Sequence, residues 1–166
     1  MGLDMTAARK RMVAPTRSPE PPRAATPDKD DYVLTEQVGH LLRRAHQRHT
    51  AIFQDMIGQA QLTPTQYAAL VKIRDCGEVS QNELGRMTAM DPATIQGVIQ
   101  RLQTRALIAR RADPDDRRCT LLSLSDAGRA LTERAIERGK AITAATLEPL
   151  AEAERAAFLA LLRKLS

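Results

Sequence analysis

The chain has 166 residues, a formal charge of +5, a pI near 9.7 and only 2% aromatic residues. That length suits one domain with a tail, and an apolar fraction made of Leu, Ala, Ile, Val and Met favours helices packed on helices. The basic balance points to a polyanionic partner, nucleic acid first, while two cysteines without CxxC spacing exclude a disulfide framework.

In chain order, residues 1–30 hold five of the nine prolines among mixed charges. Such a segment buries too little apolar surface to offset its ordering entropy, so a disordered basic tail is expected there. Residues 31–166 form the single domain. From Tyr32 to about Gly58, apolar residues at 34, 38, 41, 42, 45, 52, 53 and 56 make one stripe of a long helix. In "LTPTQYAAL", Thr63 is the expected N-cap, Pro64 the first helical residue and Gln66 the partner in a capping box. This second helix runs to about Asp75. A third, short helix starts at Ser80 with a second capping box to Glu83, and it turns Leu84 and Met87 inward. Asp91 and Pro92 then start "DPATIQGVIQRLQTRAL", where Ile95, Val98, Ile99 and Leu102 form the buried face. Two short capped helices with a tight joint are a helix-turn-helix signature.

After Arg105 the period changes. "LIARRA" and "CTLLSL" read as the strands of a hairpin around a knot with six charged residues in eight, Arg111 to Arg118. Ser125 caps a helix from Asp126 to about Leu147, and a last helix after Pro149 carries Phe158, Leu161, Leu162 and Leu165 on one side. The expected fold is therefore mainly α, with a winged helix-turn-helix over 62–124 and long helices over 31–59 and 126–165.

With its apolar face inward, the helix after Asp91 presents Ala93, Gln96, Gly97, Gln100 and Thr104, flanked by Thr94 and Arg101. Gln can pair with adenine, and small residues permit close approach to a groove. Gly97 costs about 1 kcal/mol in a helix relative to Ala, which a groove-facing backbone would explain. An ordinary solvated face is the alternative. Ser80 and Gln81 at the start of the preceding helix join the candidate DNA contacts. The hairpin tip adds Asp116, Arg117 and Arg118: an arginine there suits a narrow minor groove, and a carboxylate beside it would hold it in a reaching rotamer. Arg118 is the arginine expected to enter the groove.

The segment "DDRRCTLLSLSDAG" resembles the wing motif of the MarR-type winged helix-turn-helix regulators, Asp-x-Arg followed after five residues by Leu-Thr. It falls on Asp116, Arg118 and Leu124, with Ser125 in place of Thr, and Ser caps a helix as well as Thr does. "GEVSQNELGRMTAMDPATIQGVIQRLQTRALIARR" is similar to the reading segment of that family. The resemblance runs from about Leu34 to Leu165. It implies a homodimer binding a pseudo-palindromic double-stranded operator, usually as a repressor released by a small ligand. "LTEQVGHLLRRAHQRHTAIFQ" resembles a branch controlling catabolism of aromatic or N-heteroaromatic acids. A helical dimer layer agrees with the packing, since the first and last two helices carry more apolar surface than a small winged domain covers. It would set two reading helices roughly 34 Å apart.

The three histidines, His40, His46 and His49, all lie on the first helix. At 100° per residue His49 falls within the apolar stripe, with His46 and Arg48 flanking it. In the family resembled, the effector pocket lies beside this helix. His49 and His46, with Arg48 or Arg44 (Arg43 is a further choice), are the expected ligands for a small anionic aromatic or heteroaromatic acid. A satisfied, half-buried histidine is the alternative. His46 and His49 lack Cys partners for zinc, and the first helix lacks the reactive Cys of peroxide-sensing members, so no metal or cofactor is expected. No GxSxG, HExxH or phosphate loop suggests an enzyme. A helical protein-interaction module and a metal- or redox-responsive regulator remain the rival readings. With no apolar run near the roughly 20 residues of a bilayer span and no signal peptide, the expected place is the cytoplasm and the cysteines are expected to be small buried hydrophobes.

Overall fold

Oxygen-bearing side chains start four of the helices, each accepting a backbone N–H that the first turn would leave unpaired. The computed structural model describes residues 32–114 and 119–166. The chain forms two units, Met1–Leu34 and Thr35–Ser166. The tail expected over 1–30 lies outside the described residues. The second unit carries helices α1 (Val38–Ile57), α2 (Pro64–Cys76), α3 (Gln81–Met87), α4 (Pro92–Thr104), α5 (Asp126–Leu147) and α6 (Glu152–Leu165). It also holds the strands β1 (Glu78–Ser80), β2 (Ile108–Ala112) and β3 (Thr120–Leu124).

The caps follow the side-chain chemistry. Gln66 N donates to Thr63 Oγ1 at 3.2 Å and Thr63 N donates to Gln66 Oε1 at 3.0 Å, so the box at α2 is complete. At α3 only half of the expected box forms: Glu83 N donates to Ser80 Oγ at 3.3 Å, but the Glu83 carboxylate turns to Arg86. Charge pairing outcompetes the return bond on an exposed turn. Asp91 and Ser125 cap α4 and α5. The first helix starts at Val38 rather than Tyr32, because Gln37 keeps an extended backbone (φ −74°, ψ 136°) through which a helix cannot run.

β2 and β3 form the expected antiparallel hairpin, with Ile108 opposite Leu124 and Ala112 opposite Thr120. β1, which the sequence pattern did not reveal, adds to the other edge of β3 with Val79 opposite Leu122, so the sheet order is β1-β3-β2. Three residues with one buried side chain are too few for a period of two to register. Its extended state comes from its partner strand.

The core lies between α2, α3, α4 and the sheet. Leu70, Ile73, Leu84, Ile99, Leu102 and Leu122 are fully buried, and each such side chain stabilises the fold by about 1.5–3 kcal/mol. The α4 face read from the sequence, Ile95, Val98, Ile99 and Leu102, is the buried one. Two expectations fail. Met87 is exposed: it closes a seven-residue helix just before the chain turns through Ala89 at φ 51°. Cys76 is exposed too, at the last turn of α2, with its Sγ 3.9 Å from Met87 Sδ, while Cys119 is half-buried. Among the described residues no helix is long and apolar enough to cross a membrane.

Candidate nucleic-acid interface and ligand cavity

On α4, Ala93, Thr94, Gln96, Gln100, Arg101 and Thr104 are exposed and Gly97 is half-buried, opposite the core face. Ser80 and Gln81 sit half-buried at the start of α3. Thr94 is partly committed already. Its hydroxyl donates to Asp91 Oδ2 at 2.5 Å and its N–H to Asp91 Oδ1 at 2.9 Å. These bonds, the side-chain one first, hold the Asp91 carboxyl below the usual carboxylate range. That leaves the Thr94 methyl and the acceptor lone pairs of its hydroxyl for a base.

Between α3, α4 and β2 lies a groove of about 380 Å³ lined by Gln81, Gln96, Ile99, Gln100, Gln103 and Arg110. Four amides and a guanidinium around one groove form a surface of hydrogen-bonding groups suited to base edges and phosphates. Gln103 and Arg110 were missed in the sequence, although strand alternation puts Arg110 on the side of buried Ile108, toward α4. Arg110 Nη1 lies 3.5 Å from Gln103 Oε1.

Its neighbour is treated differently. Arg111 grips Glu78 with both ends of its guanidinium, Nε donating to Oε1 at 2.7 Å and Nη2 to Oε2. The Arg111 bond pulls the Glu78 carboxyl below its ordinary range and raises the guanidinium. This pair spans from β1 across β3 to β2 and ties the root of the wing to the helix-turn-helix. On an exposed surface it contributes orientation more than stability. Asp113 N donates to Cys119 O at 3.0 Å and closes the hairpin's base. The tip residues Asp116, Arg117 and Arg118, with Asp115, lie outside the described residues.

A Cβ at Gly97 would meet only the end of the Arg101 side chain, at 3.8 Å. Nothing inside the protein demands glycine here. Gly97→Ala is therefore expected to stabilise the free chain by about 1 kcal/mol through helix propensity. It should weaken specific DNA binding if this turn of α4 enters a groove. Urea unfolding and duplex titration on the same variant check both halves.

A second concavity, of about 420 Å³, lies between α1, α5 and α6 and is mostly apolar, with Leu42, His46, His49, Thr146, Phe158 and Leu162 among its lining. His49 Nδ1 is 3.0 Å from Thr146 Oγ1. The His49 ring tilts against Phe53 at 6.3 Å, and Phe53 meets Tyr67 edge-on at 5.7 Å, which carries the aromatic chain from the cavity into the core. Burial, and then the neighbouring His46, lower the pKa of His49 below its ordinary value of 6.5.

Of the residues expected to bind a ligand, His46 and His49 line this cavity and the arginines do not. Arg48 donates to the Thr146 carbonyl at 2.7 Å and to that of Ala145 at 3.4 Å, covering the C-terminal carbonyls of α5, where a cation is favoured. Arg43 lies by His40, and Arg44 is exposed to solvent. Sequence projection placed Arg48 on the correct side of α1, but the free carbonyls at the end of α5 claim it.

The lowered pKa of His49 has a stability consequence. Folding favours the neutral ring, so below about 6.5 the unfolded chain binds the proton more readily. His49's contribution is complete above that pH, declines as pH falls, and levels off once pH lies under the ring's own lowered value. His49→Asn is expected to flatten this part of the acid limb, seen as a smaller loss of urea midpoint between about pH 7.5 and about pH 5.5.

The family model described as MarR family matches residues 62–120. The HTH-type transcriptional repressor NicR of Pseudomonas putida is 45% identical over 144 residues, covering 87% of this chain and 91% of that protein. A crystal structure of a probable transcriptional regulator from Pseudomonas aeruginosa superposes with a TM-score of 0.78 at 48% identity, over 81% of this chain and 100% of that one. The structure of BpsR of Bordetella bronchiseptica, whose DNA binding is regulated by 6-hydroxynicotinic acid, gives 0.77 at 48% identity over 81% and 96%.

Proposed function

The chain belongs to the MarR family of transcriptional regulators, and from that premise we propose that it is a homodimeric repressor of a pseudo-palindromic operator, released by a small aromatic or heteroaromatic acid. The reading lobe is residues 62–124, and the helices over 31–59 and 126–165 form the dimer layer. Ser80, Gln81 and the exposed face of α4 enter the major groove, joined by Gln103 and Arg110. The wing tip, with Arg118, reaches the neighbouring minor groove. A reader of DNA works where the DNA is kept, in the cytoplasm.

One observation carries this reading: α5 is a single 22-residue helix that runs from the reading lobe to the cavity. Its first turn is pinned to the reading lobe, with Ser125 Oγ donating to Ala106 O at 2.7 Å. Its last turn lines the cavity through Thr146. A helix of that length, roughly 33 Å, moves as a rod, so displacement at one end must appear at the other. The effector named for BpsR makes 6-hydroxynicotinic acid the first acid to try. In the cavity, His49 and His46, beside Thr143 and Thr146, are offered to such a ligand, with His46 left to meet the carboxylate.

Fluorescence anisotropy with duplexes tiling the promoter of the protein's own gene tests the proposal. One duplex should bind in the nanomolar range, weaken steeply as salt rises, and dissociate on adding 6-hydroxynicotinate. Arg110→Ala and Arg118→Ala should each lower the salt slope by about one. Salt-insensitive binding, or slopes unchanged in both variants, would overturn the DNA assignment.

A further inference from the structure

His49 and Thr146 share one hydrogen bond whose direction is set by a second. The Thr146 hydroxyl donates to the Ile142 carbonyl one turn back, at 2.8 Å. A threonine hydroxyl has a single hydrogen, and two oxygens at that separation repel unless the hydrogen lies between them. Toward His49 the same oxygen can therefore only accept. Nδ1, 3.0 Å away, must be the N–H. A neutral imidazole carries one ring hydrogen, so Nε2 is left as a bare lone pair. Burial beside His46, which disfavours the imidazolium, keeps the ring in that neutral form.

Nε2 has no hydrogen-bond partner among the described residues. Nor is it sealed away: the side-chain polar atom fully buried without a partner there is Thr50 Oγ1. His49 lines the cavity, and Nε2 is the one polar atom it has left to offer. A carboxylate could satisfy it only by drawing a proton onto the ring, against the burial and the neighbouring His46 that disfavour the imidazolium.

We infer that His49 acts as a hydrogen-bond acceptor that selects effectors carrying a donor on the ring, an N–H of a ring lactam or a phenolic O–H, in addition to their acid group. This rests on the reading of the cavity as the effector site and adds the polarity of its recognition. Hydroxylated heteroaromatic acids fit. Their unhydroxylated parents, and ethers in which a methyl replaces the donor hydrogen, do not. The cell would then respond to a compound that has already undergone ring hydroxylation, so the reaction class that supplies the effector is an aromatic or heteroaromatic hydroxylation. Thr146 is a positioning residue: it holds the tautomer and touches no ligand in this role.

The test is calorimetry on the full-length protein with three probes: 6-hydroxynicotinate, 6-methoxynicotinate and nicotinate. Wild type should prefer the hydroxy acid roughly tenfold to a hundredfold over both others. His49→Phe, checked for folding by its thermal transition, should bring the three affinities within about twofold of one another. Thr146→Val should relax the preference and Thr146→Ser restore it. Long-range ¹H–¹⁵N spectra of the free protein should show His49 protonated at Nδ1 and bare at Nε2, a readout that needs no ligand. Equal binding of all three probes to wild type, or a proton found on Nε2, overturns the donor selection and leaves the effector site standing. Absence of binding by every probe overturns both.

Discussion

Replacing Gly128 by alanine is expected to destabilise the fold by on the order of 3 kcal/mol. Gly128 lies in the first turn of α5, with its N–H donated to Ser125 Oγ at 3.0 Å. A Cβ there would stand 1.9 Å from the Leu107 carbonyl oxygen and 2.9 Å from its carbon. These are backbone atoms at the corner between α4 and β2, so no side-chain rotation can relieve the overlap. The same carbonyl accepts the Ser125 N–H at 3.1 Å. Making room means prising α5 away from the corner, which breaks that bond and the Ser125 Oγ bond to Ala106 O together. Urea unfolding should show a much lower midpoint. It should also show Gly128→Ala and Gly97→Ala moving stability in opposite directions, because only one of the two glycines faces backbone. An unchanged midpoint for Gly128→Ala would mean that α5 does not seat on the reading lobe as described. The variant should also lose specific DNA binding, since this contact joins the two halves of the regulator.

The second large effect concerns the apolar faces of α1 and α6. Leu161 and Leu165 are 59% and 73% exposed, and Val38, Leu41 and Leu42 on α1 are exposed as well. Large apolar side chains grouped along two helices mark an interaction surface, whereas single ones need no cover. A second copy of the chain is the proposed cover. Leu161→Glu with Leu165→Glu would place four like charges across a two-fold interface, in a layer that excludes water. Sedimentation should then report a monomer where wild type gives a dimer. Affinity for the two-half-site operator should fall by at least about a hundredfold, because each half-site is then bound without its tethered neighbour. Arg163→Glu, an exposed change on the same helix, serves as control and should leave the assembly intact. If the double variant sediments as the wild type does, the dimer layer lies elsewhere.

How much of this was legible beforehand depends on the range of the forces involved. Thr63, Ser80, Asp91 and Ser125 announce helix starts because a cap acts over three residues, and all four cap as expected. The buried face of α4 was equally plain, since a period of 3.6 over 13 residues leaves no ambiguity about which side is apolar. For the candidate sites only half of the arrangement is local to one helix. His46 and His49 could be placed on one side of α1, and the structure sets both on the cavity. Arg48 shares that helix, yet it is drawn to carbonyls nearly a hundred residues away. Gln103 and Arg110 escaped notice because the groove exists only once β2 lies beside α4.

The sequence by itself determined where four of the helices begin, which face of α4 turns inward, where the hairpin lies and, through the wing motif, the family. Those properties depend on neighbours within a turn or two of the chain. The tertiary structure decided the rest. It made Glu78–Ser80 a strand by giving it β3 as a partner, and it locked Arg111 to Glu78 while leaving Arg110 open to the groove. It also fixed the proton of His49 through a threonine on a different helix. Each of these is a pairing between groups far apart in the chain, and no local pattern records which distant partner a polar group will find when the helices close.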